Sequence, residues 1–138
     1  MSATIASAPP AVSAAVEGAQ RRILRAEGLA LFAAAAGAYA HYGLGWGLFA
    51  ALFLAPDLSI FAYLGGPKFG AAAYNALHTT IFPLALSALG LATPTPALAL
   101  GLIWLAHIGF DRALGYGLKS ASGFRDTHLG APGRSREG

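Results

Sequence analysis

Cysteine is absent from this chain and charge is scarce. With no cysteine there is no disulfide, no thiolate metal ligand and no thiol nucleophile. Charged residues make up 11% of the 138 positions and hydrophobic ones 56%, whereas about a quarter of an average soluble domain is charged. No basic stripe lies along a soluble face. The nine Lys and Arg behind the formal charge of +3 sit at the ends of apolar segments, which argues against nucleic acid as a partner. The zinc-protease pattern HExxH is missing. Residues 1–20 lack a basic start followed by an apolar stretch, so they read as a flexible tail and not as a secretory signal.

Long apolar runs fill the rest. Between Gly28 and Gly66 the ionisable groups, tyrosines aside, are His41 and Asp57; between Phe69 and Phe110 they are His78 and His107. Each run is about twice the roughly 20 residues that one helical crossing needs. Each therefore predicts two spans joined by a tight turn. The expected architecture is all-α, a polytopic membrane protein with a four-helix domain over 21–130 and a tail over 131–138. Its spans are expected at about 26–42, 46–64, 69–89 and 97–118, separated by "HYGLGWG", "GGPK" and "LATPTPA". Glycine permits the first reversal, and closely spaced prolines stop the helix at the last.

Charge sets the expected orientation. Arg21, Arg22 and Arg25 precede span one, Lys68 lies between spans two and three, and Arg112, Lys119, Arg125, Arg134 and Arg136 end or follow span four. Four crossings put all nine on one side. The positive-inside rule makes that side cytoplasmic, with both termini inside and the protein in the inner (cytoplasmic) membrane.

Polar residues inside the spans are the candidate functional groups. At about 1.5 Å of rise per residue, Asp57, Asn75, His78, Asp111 and His107 fall roughly 9–16 Å in from the cytoplasmic end of three different helices. His107 and Asp111 are one turn apart on one face, and Asn75 and His78 share a face at i, i+3. Helical bundles build metal centres from inward side chains on facing helices. Asp57, His78, His107 and Asp111 are thus candidate ligands for zinc, iron or manganese, with Asn75, Ser59 and His128 as candidate supports around them. Pro56 and Pro83 each free the carbonyl four residues earlier, at Leu52 and Thr79, close to the same level. Simpler roles compete: hydrogen-bonded packing for the histidines, backbone capping for Asp57, an ion pair for Asp111. Arg112, beside Asp111 but on another face, is expected to snorkel to the headgroups, and His41 to pack at the opposite interface. Phe124 and Leu129 in the polar tail are candidates to dock on the bundle.

The segments "AYAHYG", "LFLAPDLSIFAYLGG", "GAAAYNALHT", "LIWLAHIGFDRALGYGLK" and "GFRDTHLG" together resemble a bacterial integral-membrane family catalogued as domain of unknown function 4260. The likeness runs from about Ala38 to Gly130. It implies a short polytopic membrane protein, brings no catalytic residue with it, and places the motif around His128 within the domain.

Three functions follow as expectations. The first is a membrane-embedded metalloenzyme, hydrolase-like, acting on a lipid or other apolar substrate. The second is a proton- or ion-coupled transporter or channel, which with only four spans would be a homo-oligomer. The third is a structural or accessory membrane protein whose polar groups only join helices.

Overall fold

A computed structural model of the chain describes residues 18–121, 123–127 and 129. The N-terminal tail before residue 18, His128 and the 131–138 tail lie outside the described residues. The order of elements is α1 (Gly18–His41), α2 (Trp46–Leu52), a 3₁₀ helix (Ala55–Gly65), α3 (Pro67–His78), α4 (Ile81–Ala92), α5 (Ala97–Leu114), and strands β1 (Lys119–Ser120) and β2 (Gly123–Thr127). The fold is all-α apart from this small hairpin. Four helical stretches are long and apolar enough to cross a membrane: Gly18–His41, Trp46–Gly65, Pro67–Ala92 and Ala97–Leu114.

The stretches match the expected spans in number and differ in detail, for local reasons. Helix α1 starts well before residue 26, because Ala19, Gln20, the arginines and Glu27 are good helix formers. Helix α5 stops at Leu114, short of 118. Gly115 adopts φ +96°, and its amide and that of Tyr116 bond back to Arg112 and Asp111, closing the helix with a left-handed cap.

Spans two and three are broken. Span two is α-helical only to Leu52 and continues as a 3₁₀ helix of 11 residues, far beyond the usual three or four. Span three is interrupted at Thr79–Thr80. Each break lies just ahead of a proline, Pro56 or Pro83, which then occupies the first turn of the next helix, where its missing N–H costs nothing.

Helix α5 is the centre of the assembly. It packs against α1 on one side and α4 on the other, while α3 packs on the 3₁₀ helix. About 56% of its apolar window is buried, against 11–17% for the other spans; their outward faces carry exposed Leu54, Phe61, Leu64, Phe69 and Ile81, as lipid contact requires. Small residues make these crossings close. A Cβ at Gly109 would lie 2.5 Å from the Phe32 amide and 2.8 Å from the Gly28 carbonyl. Gly101 faces Ser87 and Pro83 in the same way, and Gly70 carries the Tyr63 ring. Arg25 donates to the Ala113 carbonyl at 2.8 Å, so the start of α1 and the end of α5 share one end of the bundle.

At the opposite end Tyr39 is fully buried and donates to the Gly45 carbonyl at 2.8 Å, with Trp46 and Phe49 packed on its ring. His41 is exposed and touches Tyr42. The chain after α5 folds back as the hairpin, with Leu129 2% exposed.

Candidate metal centre

The two helix breaks put polar side chains where an unbroken helix would bury only its stripe. Asp57 sits in the first turn of the 3₁₀ helix, and His78 is the last residue of α3. His107 and Asp111 project from consecutive turns of α5. These four converge: one ligand atom from each, two imidazole nitrogens and two carboxylate oxygens, lie within 4.8 Å of one another.

The separations have a specific size. His78 Nε2 is 3.2 Å from His107 Nε2, and 3.5 Å from both Asp57 Oδ1 and Asp111 Oδ2. His107 Nε2 is 3.5 Å from Asp57 Oδ1 and 3.7 Å from Asp111 Oδ2. Four ligands at the corners of a tetrahedron are separated by roughly 1.63 times the bond length. Bonds of about 2.0–2.2 Å to zinc therefore give edges of about 3.3–3.6 Å. Five of the six edges in this cluster lie at that value to within about 0.1 Å. The sixth edge, between the carboxylates of Asp57 and Asp111, is no longer than 4.8 Å.

The surrounding contacts hold the ligands in that posture. His78 Nδ1 lies 2.8 Å from the Tyr74 carbonyl. A carbonyl only accepts, so Nδ1 carries the proton and Nε2 turns its lone pair toward the centre. Tyr74 does more. Its ring stacks on the His78 imidazole with centroids 3.7 Å apart and planes 9° from parallel, and its hydroxyl donates to Asp111 Oδ2 at 3.3 Å. One residue thus orients candidate ligands on two helices. Trp104 donates to the Leu77 carbonyl at 2.6 Å, satisfying a backbone group at the broken end of α3. Phe53 meets the His107 ring edge to face at 5.5 Å. The Nδ1 of His107 is buried without a hydrogen-bond partner among the described residues.

The expected supporting residues are placed as follows. Asn75 turns to the hairpin: its amide donates to the Lys119 carbonyl at 2.8 Å and accepts from the Lys119 amide at 2.6 Å, pairing like a strand neighbour. Ser59 donates to the Pro56 carbonyl at 2.7 Å, within its own 3₁₀ turn. Tyr74 and Lys119 were not among the sequence candidates. Tyr74 had a readable signal, an aromatic one helical turn before a candidate ligand; Lys119, beyond the last span, had none.

Lys119 lies 7% exposed with its ammonium 5.0 Å from the centre of the Tyr74 ring. Burial pushes its pKa below the ordinary lysine range, and the charges of Asp111 and Asp57 partly oppose that. Beside the ligands, a small cleft bordered by Tyr74, His78, Asp111, Arg112, Tyr116 and Gly117 has room for about one water molecule. Arg112 borders the cleft as well, but its Cβ lies against Gly28 of α1, on a face apart from Asp111 as expected. The cleft lies by the end of α5.

The side chains grow more exposed in the order His107 (1%), His78 (5%), Asp111 (15%) and Asp57 (36%). Two carboxylates no more than 4.8 Å apart repel by at least about 3.5 kcal/mol at an effective dielectric of 20. A divalent cation between them would cancel that repulsion and use the two imidazole lone pairs. The donor set, two nitrogens and two oxygens, suits zinc and other borderline first-row metals.

Comparison with known proteins gives a family. A family model described as "Domain of unknown function (DUF4260)" matches residues 21–131. No curated protein and no solved structure matches the chain.

Proposed function

We propose that the chain, which belongs to the DUF4260 family, is a membrane-embedded metalloprotein whose Asp57, His78, His107 and Asp111 hold one divalent transition metal, zinc by preference, as a hydrolytic centre. The observation that carries this reading is the set of five near-equal separations, 3.2–3.7 Å, between atoms from three segments far apart in sequence. Helix-joining hydrogen bonds alone do not require nearly equal edges.

The metal in such a site lowers the pKa of a bound water and supplies a nucleophile at neutral pH. The chain's own residues divide the remaining work. His78 and His107 are the fixed ligands, locked by Tyr74 and by burial. Asp57, the most exposed of the four and carried on a 3₁₀ segment, would be the most loosely held ligand and the carboxylate best placed to take a proton. The apolar surroundings suit a lipid or another apolar substrate. Nine basic residues on one side of the four spans support an orientation with both termini in the cytoplasm, in the inner membrane.

The test is metal content. Protein purified in detergent without a histidine tag, after growth with zinc, iron and manganese supplied, is assayed by elemental mass spectrometry. About one metal per chain is expected, lost in His78→Ala and Asp111→Ala. Metal-free wild-type protein would overturn the reading.

A second reading is favoured by one distance. The 3.2 Å between the two Nε2 atoms, flanked by two carboxylates, also makes an unbroken chain of proton sites, as in intramembrane relays. Under that reading the metal-free protein conducts protons across liposome membranes, and Asp57→Asn abolishes the flux.

A further inference from the structure

The most exposed of the four clustered side chains opens away from the cleft. Asp57 is not among the residues that border it, and its open side is set by the helix that carries it. In a 3₁₀ helix, side chains three residues apart eclipse one another, so Ala55–Gly65 presents three stripes. Pro56 and Ser59 lie on the buried one. Leu58, Phe61 and Leu64 lie on a second, and all three are exposed. Asp57 is on the third, with Leu54 one turn before it and Ile60 one turn after, both exposed. A carboxylate is therefore bracketed by side chains that meet lipid.

One of its oxygens is engaged by the centre. Oδ1 lies 3.5 Å from His78 Nε2 and 3.5 Å from His107 Nε2, whereas Oδ2 has no hydrogen bond or ion pair among the described residues. An unmet acceptor that faces hydrocarbon is costly. Depth narrows what meets it. From Asp57 to the helix end at Gly65 the chain rises about 16 Å, at roughly 2.0 Å per residue. The hydrocarbon core is about 30 Å thick, so the carboxylate lies near its middle, below the level of charged headgroups. A partner at that depth is uncharged and apolar along its length, and it must donate a hydrogen bond. Esters and ethers only accept; a hydroxyl donates.

We infer that the flank of the 3₁₀ helix at Asp57 binds a neutral, hydroxyl-bearing lipid, of the long-chain alcohol or diacylglycerol type. Its hydroxyl donates to Asp57 Oδ2, and its chain lies along Leu54, Leu58, Ile60 and Phe61. Charge supports a neutral partner, since a divalent cation and two carboxylates cancel and ligation keeps both imidazoles neutral. The water-sized cleft at the end of α5 reaches the centre beside Asp111 and His78. Water and lipid thus arrive by separate routes. This inference rests on the metal reading and names its substrate class.

The full chain, loaded with cobalt(II) in phosphatidylcholine nanodiscs, provides the test. Cobalt stoichiometry is measured first. Oleyl alcohol is then titrated while the visible spectrum of the cobalt is followed. Methyl oleate, with the same chain and no donor, is the control. A saturable spectral change is expected with the alcohol, at a concentration at least about tenfold below any change with the ester, the worth of one hydrogen bond to a charged group. A diazirine-bearing analogue of the alcohol should cross-link within residues 54–61. Ile60→Trp, which enlarges the side chain one turn from Asp57 on the same stripe, should weaken the alcohol severalfold with cobalt stoichiometry unchanged. Leu64→Trp, on the outward stripe at the far end of the helix, should not. An equal response to alcohol and ester, or none to either, overturns the inference and leaves the metal centre standing. So do cross-links confined to other spans, and so does an Ile60→Trp protein that binds the alcohol as wild type does. Failure to bind cobalt at all overturns the metal reading and this inference with it.

Discussion

Tyr74→Phe is the sharpest probe of how the centre is held. The substitution removes one oxygen and keeps the ring, so the stack on His78 at 3.7 Å and the position beneath the Lys119 ammonium both survive. The backbone carbonyl that fixes the His78 tautomer is untouched. What is lost is the 3.3 Å hydrogen bond to Asp111 Oδ2. Hydrogen bonds to charged groups contribute about 1.5–3 kcal/mol, and a long one belongs at the lower end. About 1.4 kcal/mol is a factor of ten in an equilibrium constant, so metal affinity should fall about tenfold, within the 10–100-fold usual for partners one step removed from the metal. Competition with a chelator of known affinity measures the change for zinc, and melting in detergent checks that the variant is folded. Tyr74→Ala, which also removes the stack, should lose more. A folded Tyr74→Phe protein that binds zinc within twofold of wild type would refute the idea that this hydroxyl sets the posture of Asp111.

Two further substitutions probe the frame. Gly109→Ala places a methyl 2.5–3.0 Å from backbone atoms of α1. Such overpacking should cost about 1–3 kcal/mol and lower the melting temperature, while Gly37→Ala, which meets nothing within 4 Å, should not. Asn75→Ala removes both bonds to the Lys119 backbone, about 1–3 kcal/mol in sum. Hydrogen exchange should then speed up at Lys119 and Ser120 while α1 and α5 stay protected.

The number of spans was legible because hydrocarbon tolerates so few ionisable groups that their absence maps each crossing. The meeting of Asp57, His78, His107 and Asp111 was legible from depth and from the one-turn spacing on α5. Depth, however, fixes height and not azimuth. Asn75 shares the level of His78, yet its amide is claimed by a backbone that only the folded hairpin supplies. The breaks were half legible. Pro56 and Pro83 announced that carbonyls would be freed, but the sequence does not say that the chain would turn 3₁₀ for 11 residues or that Trp104 would reach back to Leu77. Arg112 was legible in the same way: ideal helical geometry separates neighbours, and its Cβ lies against Gly28 of α1 while Asp111 meets the histidines.

The central position of α5 has a consequence for the order in which this protein is made. Helix α1 and helix α4 both pack on α5, and two of the four converging side chains belong to it. It is also the last of these four spans to leave the ribosome. Until it emerges, α1 has no partner for its glycine-lined face, and the half-centre formed by Asp57 and His78 has nothing to close it. With three spans in place, the 3₁₀ helix and α3 can pair while α1 and α4 still lack the helix they pack on; the four side chains meet once the fourth helix joins them.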